Sequence, residues 1–126
     1  MRKILVGAAI SMLALGLSAP VASAGDGRVE KNGSCSGSTD WKLKAKPDNG
    51  RLEVEYEVDS GVNGQEWRVV LKHDGERFFR GTKTTHGQSG SFSVEKRVGN
   101  HDGTDHFKAR ARNLSNDELC KGRLSI

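Results

Sequence analysis

From Trp41 to the last residue, apolar side chains recur at every second position. Trp41, Leu43 and Ala45 alternate with Lys42, Lys44 and Lys46, and Leu52, Val54, Tyr56 and Val58 alternate with Glu53, Glu55 and Glu57. A pleated strand sends successive side chains to opposite faces, so this period sorts apolar from charged residues across one sheet. The pattern continues with Trp67, Val69 and Leu71 against Arg68, Val70 and Lys72, then with Phe92, Val94 and Val98 in one parity. Phe107, Ala109 and Ala111 alternate with His106, Lys108, Arg110 and Arg112, and Cys120, Gly122, Leu124 and Ile126 with Lys121, Arg123 and Ser125. Turn chemistry separates the runs. Pro47-Asp48-Asn49-Gly50 joins the first two, and His73-Asp74-Gly75-Glu76 reads as a tight hairpin turn, because Asp-Gly tolerates the positive φ such turns demand. The run Arg77 to Thr84 contains adjacent Phe78 and Phe79, of which strict alternation sends only one inward.

Seven such runs at a spacing of roughly 8 to 12 residues, with Gly-rich turns and no helical period, predict an all-β domain over residues 39–126. The expected fold is a seven-stranded antiparallel β-sandwich, with a small β-barrel as the alternative that alternation does not exclude. If the first two strands pair, three lysines face three glutamates across the hairpin, each pair contributing about 0.2 to 1 kcal/mol.

Residues 1–24, MRKILVGAAISMLALGLSAPVASA, combine a basic start at Arg2 and Lys3, an apolar run from Ile4 to Leu17 and small residues at Ala22 and Ala24. That layout predicts a secretory signal cleaved after Ala24, since the run is shorter than the roughly 20 apolar residues of a spanning helix. Removing 24 of 126 residues leaves 102, enough for one domain. It also leaves 18 basic residues against 16 acidic, so net charge says little about partners, and the distribution of charge must carry any such reading. No second long apolar stretch follows, so no transmembrane segment is expected after cleavage. The expected location is extracellular.

Residues 25–38, GDGRVEKNGSCSGS, hold one sizeable apolar residue, Val29, and are expected to be flexible until Cys35 ties them down. In an oxidising compartment the two cysteines, Cys35 and Cys120, are expected to form a disulfide. Neither has a His or Cys at short ligand spacing, which argues against a cysteine metal site.

The arrangement resembles immunoglobulin-like and fibronectin type III domains in architecture alone. A bridge from before the first strand to the seventh differs from the antibody pattern, and Phe107 stands near where a tyrosine is expected. The stretches GSCSGSTDWKLKAKPDNGRLEVEYEVDS and GTDHFKARARNLSNDELCKGRLSI also resemble a group of small secreted actinobacterial proteins of uncharacterised function. That resemblance implies export and a single domain, and it transfers no catalytic or binding residue.

Sandwich topology groups the third, sixth and seventh strands in one sheet, whose outward positions then include Arg68, Lys72, Lys108, Arg110, Arg112, Lys121 and Arg123 without a carboxylate. Segregated charge focuses a field on anions. The first expectation is therefore a secreted, non-catalytic binding module for an anionic cell-surface or extracellular polymer. The bland alternative is a solvated face compensated by neighbouring loops. Nucleic acid is disfavoured as partner because the face offers no aromatic ring for a base to stack on. The second expectation is a protein-interaction or inhibitor domain acting through the loops Asp59 to Gln65 and Thr84 to Gly90.

Enzymatic chemistry finds no motif. His73, His86, His101 and His106 have no diagnostic spacing, and no Gly-x-Ser-x-Gly elbow occurs. Asn100, Asp102, Thr104 and Asp105 supply oxygens but lack the ordered spacing of a calcium loop. No catalytic residue, metal ligand or cofactor is assigned from the sequence.

Overall fold

The computed structural model describes residues 26–126, and the predicted export signal at 1–24 lies outside them. Eight strands fold into two antiparallel sheets: β1 (Val29–Ser34), β2 (Asp40–Asp48), β3 (Arg51–Asp59), β4 (Glu66–His73), β5 (Glu76–Thr84), β6 (Ser91–Gly99), β7 (His106–Asn113) and β8 (Leu119–Ser125). One sheet runs β1-β2-β3-β6 and the other β5-β4-β7-β8, so the chain is a β-sandwich and not a closed barrel. Among the described residues no helix is long and apolar enough to cross a membrane.

The strand count corrects one expectation. Residues 25–38 are not simply a flexible lead, because Val29–Ser34 pairs along β2 from Val29↔Ala45 to Ser34↔Asp40. Ladder hydrogen bonds to β2 order this polar segment as the edge strand of the sheet, although composition alone made it too poor in apolar surface to fold. Trp41 adds a cover: its indole lies so close over Gly33 that an added Cβ would meet the ring at 3.0 Å. The sandwich thus begins at 29 rather than 39.

The predicted alternation decides the interior. Leu43, Leu52, Val54, Tyr56, Val58, Trp67, Leu71 and Phe107 are fully buried between the sheets, as their parity requires. The expected disulfide joins Cys35, just beyond β1, to Cys120 in β8, and so ties the edge of one sheet to the edge of the other. Trp41 reaches across the same side onto Gly122, where a Cβ would stand 2.5 Å from the indole, so no residue with a side chain fits there without moving the ring. On the opposite side the Lys96 ammonium of β6 sits 5.3 Å from the Phe79 ring centroid of β5, a cation–π contact across the other gap.

Phe78 and Phe79 both pack against the core, contrary to the expectation that only one does. The register explains it. Leu71 pairs with Phe79 but Lys72 pairs with Arg77, so Phe78 is the extra residue of a β-bulge, and a bulge breaks strict alternation.

The lysine–glutamate hairpin forms as read from the sequence. Lys42, Lys44 and Lys46 of β2 face Glu57, Glu55 and Glu53 of β3, with Nζ to carboxylate distances of 4.0, 3.1 and 3.6 Å. Tyr56 then bridges the layers, its buried hydroxyl donating to the Cys120 carbonyl at 3.0 Å. Burial also pushes that phenol's pKa upward. Tyr56→Phe removes the bond and leaves the packing, so urea unfolding should report a loss of about 1 kcal/mol. An unchanged midpoint would show that the bond contributes nothing net.

Candidate functional site

The β5-β4-β7-β8 sheet presents the predicted cations on one outer face. Backbone register sets them in cross-strand rows: Arg68 faces Arg112, Lys72 faces Lys108, Lys108 faces Arg123, and Arg110 faces Lys121. All seven predicted residues therefore share the surface. The structure adds two that the sequence reading missed, because β5 is the fourth strand of this sheet: Arg80 opposite Val70, and Arg77 opposite Lys72 beside the bulge.

Neighbouring strands lie about 4.8 Å apart and alternate residues about 6.7 Å along a strand, so these nine cations form a closely spaced lattice of like charge. Directly opposed like charges on neighbouring strands are destabilising. The other sheet matches its β2 cations to carboxylates, although Glu55 of β3 faces Glu95 of β6. There each outward lysine of β2 meets a glutamate of β3, and Arg97 is paired with Asp48.

A groove of about 570 Å³ is sunk into the basic face, lined by Lys72, Arg77, Lys108, Arg110, Lys121 and Arg123 around Val70 and the Ala109 and Gly122 backbone. Among the described residues none of these six cations is in an ion pair. Arg112 stands apart from them: its guanidinium bonds Asp117 of the β7–β8 turn at 2.9 Å and it does not line the groove. The expectation of a face without carboxylates is corrected in one further respect, because Glu66 shares the parity of Arg68 at the first position of β4. Val70 is half-buried on the groove floor and both phenylalanines are turned to the core, so no apolar patch of Val70 and a phenylalanine forms beside the cations.

The two loops of the rival reading are bonded to one another. Ser60 and Gly61 donate their N–H groups to the Gly90 carbonyl, the Gly64 N–H bonds Thr85, and the buried Thr85 hydroxyl donates to the Val62 carbonyl at 2.6 Å. These bonds join 59–65 and 84–90 into one end of the sandwich, with Val62 exposed at its tip.

A second constellation, which sequence spacing did not reveal, gathers at the opposite ends of these strands. His73 ends β4, Asp74 opens the β4–β5 turn with φ 49°, in the left-handed region, and His101 and Asp105 come from the β6–β7 connection. One ligand atom from each of the four lies within 4.8 Å of the others. His73 Nε2 is 2.6 Å from Asp105 Oδ2, and His101 Nδ1 is 2.6 Å from Asp74 Oδ2. The hydrogen bond from His101, joined by the His106 N–H, holds the Asp74 carboxyl below its ordinary pKa, and the same pairing with Asp74 raises that of His101. The rings of His101, His73 and Phe107 form a stack, with centroids 3.9 and 4.5 Å apart. His86 and His106 stay outside it, the latter bonded to Ser125 on the outer face. Asp105, considered from the sequence as a calcium-loop oxygen with Asn100, Asp102 and Thr104, is instead buried against His73.

Comparison of the chain with protein-family models, with curated proteins and with solved structures finds no match in any of the three.

Proposed function

We propose that this chain is a secreted, non-catalytic binding module whose basic groove takes an anionic polymer of the cell surface or the extracellular space. The observation that carries this reading is the contrast between the two sheets. One outer face pairs each lysine of β2 with a glutamate, while the other sets cation against cation in every row from Lys72 to Lys121. Local rules broken at a cost to stability mark functional surfaces, and an anion lying across the rows would relieve the repulsion. The disulfide favours an oxidising compartment, where such polymers are met. The groove has no aromatic lining, which favours a wall polymer or acidic polysaccharide over nucleic acid. In this reading the topology is immunoglobulin-like with an added edge strand, β2-β3-β6 standing for strands A, B and E and β5-β4-β7-β8 for C′, C, F and G.

The test is retention on a heparin or polyphosphate matrix as salt is raised. Arg110→Glu with Lys121→Glu should lower the elution salt sharply and flatten the logarithmic salt dependence of affinity by about two or more counterions. Lys42→Glu with Lys46→Glu on the other sheet makes the same change in net charge and should leave elution near that of the parent. Equal losses in the two double variants would reduce the groove to general basicity and overturn the proposal.

A further inference from the structure

We propose that His73, Asp74, His101 and Asp105 form a binding site for a divalent transition-metal ion, zinc above all. Two imidazole nitrogens and two carboxylate oxygens are the donor types of a four-coordinate zinc centre, whereas calcium and magnesium call for more oxygens and no imidazole. The four donor atoms already lie within 4.8 Å of one another, so small side-chain rotations bring them to the roughly 3.4 Å separation of ligands around a tetrahedral zinc.

The supporting groups hold these donors in place. Asp105 is almost fully buried, and its Oδ2 also accepts the His101 backbone N–H at 3.0 Å. Asp74 uses its other oxygen, Oδ1, to accept the His106 N–H at 2.8 Å, while its own N–H donates to the His106 carbonyl at 2.7 Å. Bonds of this kind fix the orientation of metal ligands and raise their affinity. His73 is buried under Phe107 and Phe78, so the inner half of the site is rigid. The outer half is open, since the His101 side chain is half-exposed and gives an ion a way in.

The two short histidine–carboxylate contacts show what an ion would replace. Each holds a proton between nitrogen and oxygen at 2.6 Å, and a divalent ion entering between the pairs displaces protons as it takes their lone pairs. The parallel stacking of His73 and His101 means that the exposed His101 ring must tilt for both nitrogens to aim at one ion. The ion would then fasten the β4–β5 turn to the connection that carries the chain from β6 in one sheet to β7 in the other.

Titration of chelator-washed protein with zinc chloride, followed by calorimetry and thermal unfolding, tests this. The expected result is one zinc per chain with micromolar affinity or better, a raised melting temperature, proton release visible as a buffer-dependent heat, and shifted His73 and His101 ring resonances, none of it reproduced by magnesium. His101→Gln and Asp74→Asn should each weaken binding about tenfold or more. Both are mild: His101 is half-exposed, and Asn accepts the turn conformation and the His106 N–H as Asp does. His86→Ala should bind as the parent does. Absence of saturable zinc binding, or retention of it in both ligand variants, would overturn the proposal and leave the four residues as a hydrogen-bonded clasp.

Discussion

Replacing Cys35 and Cys120 together by alanine should cost about 4 to 5 kcal/mol. The bond spans 85 residues, and in the chain-entropy treatment closing a loop of that length removes about that much freedom from the unfolded state. Small domains have a total stability of roughly 5 to 15 kcal/mol, so the variant should sit close to the edge of folding. The location adds to the effect. The bridge ties the outer edge of one sheet, where β1 has β2 as its strand neighbour, to the outer edge of the other. Amides of β1 should therefore lose hydrogen-exchange protection first, while β3, β4 and β7 keep theirs. Urea unfolding provides the measurement, and its slope should steepen because the unlinked chain exposes more surface. A double-alanine variant within about 1 kcal/mol of the parent would show that the edges are held by packing and the ladder alone.

Trp67→Ala should cost about 3 to 5 kcal/mol, the usual price in packing of removing a large aromatic from a closed interior. Trp67 is the largest fully buried side chain, and its ring meets Phe92 of the facing sheet with centroids 6.4 Å apart. Its indole N–H has no hydrogen-bond partner among the described residues. That detail separates two variants. Trp67→Phe leaves a smaller void and also deletes a buried donor whose desolvation was uncompensated, so it should lose much less than Trp67→Ala. Equal losses in denaturant titrations would mean that the indole N–H is satisfied in solution and that shape at this position matters more than volume.

Much of the basic face was legible beforehand because alternation and sheet membership could be combined. Arg68, Lys72, Lys108, Arg110, Arg112, Lys121 and Arg123 all lie where the parity of their strands puts them. Arg80 was within reach of the same reasoning, since an Asp-Gly hairpin at residues 74 and 75 requires β5 to pair with β4 and so to join that sheet. Arg77 was not. Its place opposite Lys72 depends on the bulge at Phe78, and one extra residue in a ladder leaves no periodic signal. The ion pair that withdraws Arg112 from the groove likewise depends on how the β7–β8 turn folds back.

The histidine–aspartate cluster was invisible for a related reason. His73 and Asp105 are 32 positions apart, and neither spacing nor composition announces a pair whose contact is made by two turns at one end of a sandwich. The strand β1 escaped notice because its order comes from a neighbour's backbone rather than from its own side chains.

What the chain's own residues determined is everything with a local cause: strand character, the inward and outward sets, the turns, and the lysine–glutamate register of one hairpin. Side-chain period and turn stereochemistry act over a few residues, so they can be read along a line. Which strands share a sheet, where a bulge interrupts the parity, which carboxylate reaches which imidazole, and how six cations close around one groove were decided by the tertiary structure, because each depends on distances between residues that are remote in the chain.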